Sequence, residues 1–182
     1  SGFALEDRRN GIGCGVHRLC LNLSGAGLKL SDRIAAMTSP VAPLTSAKTA
    51  PADTPLRRGW TTGACAAAAA RAGYAALLTG KMPTSAPLLL PRNLRTDFEI
   101  ARSRIEADGR AMVAIVKDAG DDPDVTHGAT VEARVALLPP GSGLTFLAGD
   151  GVGTVTAPGL PLAVGEPAIN PGPRQIIQDN LA

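Results

Sequence analysis

Residues 117–129 (Lys-Asp-Ala-Gly-Asp-Asp-Pro-Asp-Val-Thr-His-Gly-Ala) gather four carboxylates, one ammonium, one hydroxyl and one imidazole within a single short stretch. Three kinds of chemistry suit that set. Carboxylate oxygens from Asp118, Asp121, Asp122 and Asp124 suit a hard divalent cation. The imidazole of His127, oriented by a carboxylate, suits proton transfer near neutral pH. An Asp-Pro turn whose side chains bond their own backbone is the bland alternative. The stretch lacks the alternating Asp spacing and terminal Glu of a calcium-binding EF-hand loop. The residues alone leave turn, ligand or catalytic loop, and metal site open, and no metal is assigned.

A second set lies upstream. Arg57-Arg58-Gly59-Trp60-Thr61-Thr62-Gly63 runs directly into the Ala-rich stretch 64–78. Two arginines and two hydroxyls at a helix start make an anion site, because the first backbone N–H groups lack intrahelical acceptors and the helix dipole adds favourable potential. The competing reading is a Thr cap beside solvated arginines. The Walker A spacing is absent. Gly151-x-Gly153-x-x-Thr156 resembles a dinucleotide fingerprint but lacks its third Gly and a following helix. Glu166 and Asn170 stand in a Pro-rich loop whose chemistry the residues alone do not reveal.

The elements that must hold these residues follow from periodicity. Ala is the strongest helix former, and Thr61 or Thr62 suits the N-cap of a helix over 64–78, with Gly80 as its stop. That helix, bare on most of its surface, is expected to be packed between a sheet and a second layer. Strands are expected at 87–90, 98–105, 111–116, 131–138 and 144–147. Asp108-Gly109 forms a hairpin turn before the buried run 111–116, and 139–143 joins a second hairpin. One helix followed by strands on short connections gives an α+β fold with an antiparallel or mixed sheet packed on the Ala-rich helix. A helix begins near 174, and the chain stops before that helix has a partner.

Composition narrows the function. The chain has 182 residues, 45% hydrophobic but only 3% aromatic, so its core is built from Ala, Val, Leu and Ile. A net charge of +2 without basic runs gives nucleic-acid binding no support. The longest apolar stretch is interrupted by Arg71 and is no membrane span. Three cysteines, at 14, 20 and 65, fit a reduced cytoplasmic protein. The spacing Cys14-x-x-His17-x-x-Cys20 lacks a fourth metal ligand. Residues 1–55 read as a poorly ordered extension, with Met37 as a natural start and 1–36 as upstream sequence. Residues 56–170 form the α+β domain, and 171–182 begin a second one.

Three stretches together identify a resemblance. Residues 58–68, residues 117–128 and Gly151-Val152-Gly153, with Thr156-x-Pro158-Gly159-Leu160 and residues 164–171 (Val-Gly-Glu-Pro-Ala-Ile-Asn-Pro), closely resemble the CbiD family. These are the cobalt-precorrin-5B C1-methyltransferases of cobalamin biosynthesis, and the resemblance covers the chain from about Leu56 to its end. It implies a cytoplasmic enzyme that transfers a methyl group from S-adenosylmethionine to C1 of a polycarboxylate macrocycle. Arg57, Arg58, Thr61, Thr62, Lys117, Glu166 and Asn170 are then expected to bind substrate. Asp118, Asp121, Asp122 and His127 are expected at the chemistry, and Gly151 and Gly153 at the cofactor. Family members are roughly twice as long as the matched part, so a C-terminal Rossmann-like domain is expected to be missing and the chain alone to be inactive. Two alternatives are a non-catalytic corrinoid-binding domain and a divalent-metal hydrolase built on residues 118–124.

Overall fold

The computed structural model describes residues 18–26 (backbone course and pairing), 56–139 and 141–181. Met37, Cys14 and His17 fall outside what is described, and with them the Cys14–His17–Cys20 spacing as a set. The elements run β1 (Arg18–Ala26), α1 (Thr62–Thr79), β2 (Ser85–Leu90), a 3-10 turn (Pro91–Asn93), β3 (Leu94–Glu99), β4 (Arg102–Ile105), β5 (Ala111–Val116), β6 (Thr130–Leu138), β7 (Leu144–Ala148) and α2 (Pro171–Leu181). The fold is α+β, as the sequence reading expects.

Helix α1 organises the layers. Thr61 is its N-cap, accepting a bond from the Ala64 N–H at 3.1 Å, a contact of the kind worth about 1 kcal/mol. Gly80, left-handed at φ 70°, closes its other end by donating to the Ala76 carbonyl at 2.8 Å. Ten of its residues are buried, from Ala64 to Ala76. Small side chains let neighbours approach closely. A Cβ at Gly73 would sit 3.0 Å from Val135 of β6, and one at Gly63 would sit 2.8 Å from Pro173 of α2. The helix therefore lies between β5 and β6 on one side and α2 and β2 on the other. This is the packed position expected of an almost bare surface.

The main sheet has the order β4-β5-β6-β1-β7, and a separate two-stranded sheet pairs β2 with β3. All pairs are antiparallel except β1 with β7. Ala111 through Ile115 of β5 are all buried, which is why that strand reads as an unbroken apolar run. In β6 burial alternates, with Val131, Ala133 and Val135 in the core.

Four expectations are corrected. The stretch 98–105 is two strands in two different sheets, broken at Ile100 and Ala101. β6 and β7 do not form a hairpin, because β1 lies between them. β1 itself, Arg18–Ala26, falls within the span read as an extension, yet it pairs along its length with β6. The last helix is partnered: Ile177 is fully buried, and the Asn180 carboxamide accepts from the Leu89 N–H at 2.9 Å and donates to the Leu89 carbonyl at 2.8 Å.

Candidate functional site

The two charged motifs meet backbone to backbone. The Arg57 N–H donates to Asp121 Oδ2 at 2.6 Å, the Asp121 N–H returns a bond to the Arg57 carbonyl at 3.0 Å, and the Trp60 N–H donates to the Asp118 carbonyl at 2.7 Å. Arg58 and Gly120 form a β-bridge. Two glycines make this crossing possible. A Cβ on Gly59 would overlap the backbone of Ala119, and one on Gly120 would overlap the carbonyl of Arg57. Gly120 also has φ 66°, a conformation that costs any other residue strain. Trp60 then leans on Phe98 of β3, with ring centroids 5.3 Å apart, and ties the crossing to the second sheet.

Side chains lock the same junction. The Arg57 guanidinium grips Asp118 with two nitrogens, one of them at 2.9 Å. That bond, followed by the Gly120 N–H, holds the Asp118 carboxyl down at about 2. Lys117, only 2% exposed, is the one buried charged residue among those described. Its ammonium bonds Asp124 and, at 2.5 Å, the Thr126 hydroxyl. Lys117, and after it the hydroxyl and N–H of Thr126, keep Asp124 far below the usual carboxylate range. Loop 117–129 is also stitched to the end of the β5–β6 ladder by bonds between Lys117 and residues 128 and 129.

Around this junction lie three cavities. The largest, of about 710 Å³, is floored by Lys117 and the start of α1 and rimmed by Arg57, Arg58, Asp121 and Asp122. Thr62 and Gly63, whose N–H groups have no intrahelical acceptor at the first turn, are among its lining residues. The Arg58 side chain is exposed and has no partner among the described residues. A second cavity, of about 310 Å³, lies between Trp60, Phe98 and Val116, with Asp97, Glu99 and Asp118 on its edge. The third, of about 380 Å³, is lined by Thr62, Gly63, Ala66, Val131, the segment 151–153 and Asn170. It shares the Thr62–Gly63 wall with the first.

The CbiD family model matches residues 49–182. The chain belongs to the CbiD family. It is 58% identical over 127 residues to a cobalt-precorrin-5B C(1)-methyltransferase of Bradyrhizobium sp. (strain BTAi1), which is 70% of this chain and 34% of that protein. It is 60% identical over 124 residues to the protein of the same name from Rhodospirillum rubrum, covering 68% of this chain and 34% of the relative. The Halorhodospira halophila protein of that name is 53% identical over 131 residues, covering 72% and 35%. The chain thus spans about a third of the length of the curated relatives it matches, which are about three times as long as the matched part rather than twice, as the sequence reading expects. No solved structure is detectably similar.

The structure sorts the candidate residues of this family member. Arg57, Arg58, Thr61, Thr62, Lys117, Asp121 and Asp122 share the large cavity. Gly151, Gly153 and Asn170 share the third cavity, which Thr62 also lines. Asp118 is turned to the second cavity and to Arg57. His127 lines none of the three; its Nδ1 accepts the Ala119 N–H at 3.1 Å and lies 3.8 Å from Asp118. Glu166 also lies outside them, paired with Arg174 at 3.0 Å, which itself stacks over Phe146. Among the described residues no three His, Cys, Asp or Glu side chains are placed to hold a metal ion, and no helix is long and apolar enough to cross a membrane.

Reasoning from the sequence missed Gly59 and Gly120 as the residues that let the motifs cross, and Asp124 and Thr126 as the partners of Lys117. The signal for the glycines was present, since each interrupts a run of charged or bulky residues that has no helical or strand period. Which partner Lys117 takes depends on how the loop folds back, and spacing does not encode that.

Proposed function

We propose that this chain forms the substrate-facing part of an S-adenosylmethionine-dependent methyltransferase acting at C1 of cobalt-precorrin-5B, in the cytoplasm. The family and the names of the relatives supply the reaction class. The observation that carries the reading to these residues is the floor of the large cavity. There Thr62 and Gly63, whose N–H groups lack intrahelical acceptors, and the unpaired Arg58 side chain line one space, beside Lys117, whose ammonium is held by Asp124 and Thr126. Donors of this kind suit the carboxylates of a corrin-type macrocycle, and the N–H groups at the capped helix start are fixed before any ligand arrives.

Roles divide according to which groups are already engaged. Arg57 is bound to Asp118 and acts as a brace; Arg58 is the arginine available to substrate. Asp118, ionised and held near 2, accepts hydrogen bonds at neutral pH and does not donate a proton. Asp122, exposed and lining the large cavity without a side-chain partner among the described residues, is the carboxylate assigned to take a proton from bound substrate. His127, exposed and with Nδ1 accepting the Ala119 N–H, is assigned as a proton carrier at the loop surface. The cofactor supplies an electrophilic methyl group. The protein's part is to hold donor and acceptor carbon in line and to shed water from between them, which needs no protein nucleophile.

Titration of the chain with cobyrinic acid and with its fully esterified form tests the substrate reading. The acid is expected to bind and the ester to lose at least tenfold in affinity. Equal binding of the two would sink the reading. Because relatives extend well beyond the matched third, methyl transfer is expected to require the remainder of the protein. Turnover of cobalt-precorrin-5B by these 182 residues with S-adenosylmethionine would overturn that part alone.

A further inference from the structure

The ion pair beside the large cavity is lopsided. The Lys117 side chain is 2% exposed, whereas that of its partner Asp124 is 34% exposed. Both residues line the cavity. The ammonium also donates to the Thr126 hydroxyl, and Asp124 Oδ1 accepts that hydroxyl at 2.6 Å and the Thr126 N–H at 2.7 Å. Ammonium, hydroxyl and carboxylate thus close a ring. A lysine ammonium has three donors, and the third of Lys117 has no acceptor among the described residues. A buried donor in that condition is costly, and a carboxylate oxygen is the acceptor that satisfies a cation best.

The carboxylate that holds Lys117 belongs to a segment with few other ties. Every hydrogen bond described for residues 122–126 stays within loop 117–129. The anchors lie on either side. Asp121 exchanges two bonds with the Arg57 backbone, and the Gly128 N–H donates to the Lys117 carbonyl at 2.8 Å. Val125, 88% exposed, gives the segment no apolar anchor. A carboxylate arriving from the cavity cannot share one ammonium with Asp124 at no cost, because two carboxylates around a single cation repel. Lys117 is too deeply buried to follow a ligand outward, and its charge needs a partner at all times. Asp124 is exposed enough to turn to water. Of the two partners, the carboxylate is the one that can leave.

We propose that Asp124 is a built-in competitor for a substrate carboxylate: it holds the Lys117 ammonium until a carboxylate of the macrocycle replaces it, and its release frees segment 122–126. The inference rests on the substrate reading above and adds how that site is regulated. Asp122 lies in the freed segment, so the carboxylate assigned to proton transfer is repositioned only when substrate has engaged Lys117. A ligand without a carboxylate at that point leaves the latch closed.

Calorimetric titration of Asp124→Asn with cobyrinic acid separates a competitor from a mere support. The amide keeps the shape of the side chain and a neutral acceptor for Lys117, and gives up the competing charge. Affinity is expected to rise about fivefold or more while the thermal midpoint falls, the reverse of what loss of a supporting contact does to binding. In a Lys117→Met background the same substitution is expected to change affinity less than about twofold, because the contested ammonium is gone. Amide exchange in the parent chain gives a readout that needs no variant. The Thr126 N–H, which donates to Asp124 Oδ1, is expected to exchange faster with cobyrinic acid bound, while the Trp60 N–H at the crossing does not. Unchanged or weaker binding by folded Asp124→Asn, an equal gain in the Lys117→Met background, or a Thr126 amide no less protected in the complex would each overturn the proposal. The exchange measurement decides alone if the Asn variant does not fold. A parent chain that binds the acid over its ester, with no gain in Asp124→Asn, sinks this inference and keeps the substrate reading. Equal binding of acid and ester sinks both.

Discussion

Two glycine-bearing segments border the same helix end and use glycine in opposite ways. At the crossing of residues 57–60 with 118–121, Gly59 and Gly120 are consumed by the backbone: two chains touch where a side chain would stand. In the segment 149–170, Gly153 touches almost nothing and leaves space beside α1. The charged groups follow the same division. Arg57, Asp118, Lys117 and Asp124 neutralise one another at the crossing, whereas Arg58 and Asp122 remain uncommitted at the rim. A motif dense in charge and glycine therefore contains both scaffold and site, and only the contacts separate them.

Breaking the crossing has the largest expected effect. Gly120→Ala forces a left-handed φ on a residue with a Cβ and drives that Cβ into the Arg57 carbonyl. Overpacking against rigid backbone combined with conformational strain is expected to cost about 2–4 kcal/mol. Urea unfolding measures it, and Gly153→Ala is the internal control, expected to stay within about 0.5 kcal/mol. Equal destabilisation by both substitutions would erase the distinction between the two segments.

Local chemistry made much of the fold legible. The caps at Thr61 and Gly80, the Asp108–Gly109 turn and the buried run of β5 all depend on residues within a few positions of one another. The β6–β7 hairpin was misread because a strand more than a hundred residues earlier lies between its two arms. The period-two signal of that strand was in the sequence, as Leu19, Leu21 and Leu23 alternate with Cys20, Asn22 and Ser24, but the poorly patterned surroundings outweighed it. At the site, the clustering of residues 57–63 and 117–124 was legible from composition and resemblance. The division between Arg57 and Arg58 was not, because it is set by an aspartate 61 residues away.

That division can be sharpened next. Arg58→Ala is expected to lower cobyrinic acid affinity about tenfold, the scale of one lost charge-assisted bond, and to leave the thermal midpoint unchanged. Arg57→Ala is expected to do the reverse in kind: a lower midpoint and faster amide exchange across residues 118–121. If the two variants behave alike by calorimetry and hydrogen exchange, the brace and the binding arginine have been misassigned. Lys117→Met tests the floor in the same way. Met fills much of the buried volume, and Asp124, about a third exposed, can turn to water, so the stability change is expected to be on the order of 1 kcal/mol. Affinity for the polycarboxylate is expected to fall several-fold, and unchanged affinity would remove Lys117 from the binding floor.

The smallest effect near neutrality belongs to pH, and its sign follows from the Asp118 carboxyl. The Arg57 guanidinium and the Gly120 N–H hold that group at about 2 in the folded chain, against roughly 3.9 for an unfolded aspartate. The folded state therefore binds fewer protons between those values. Its extra stability is fully present above about pH 4 and drains away as pH falls toward 2. Unfolding midpoints in urea are expected to be flat from pH 7 to 5 with respect to this group and to fall between 4 and 2. Asp118→Asn is expected to start less stable at pH 7, because the Arg57 brace is weakened. Its profile should then descend less steeply below pH 4 and approach that of the parent chain near pH 2. Asp124, held lower still by Lys117, keeps its charge over most of that range, so the convergence reports on the crossing and not on the buried ammonium. Parallel profiles for the two chains would show that the Arg57–Asp118 pair does not hold the two motifs together.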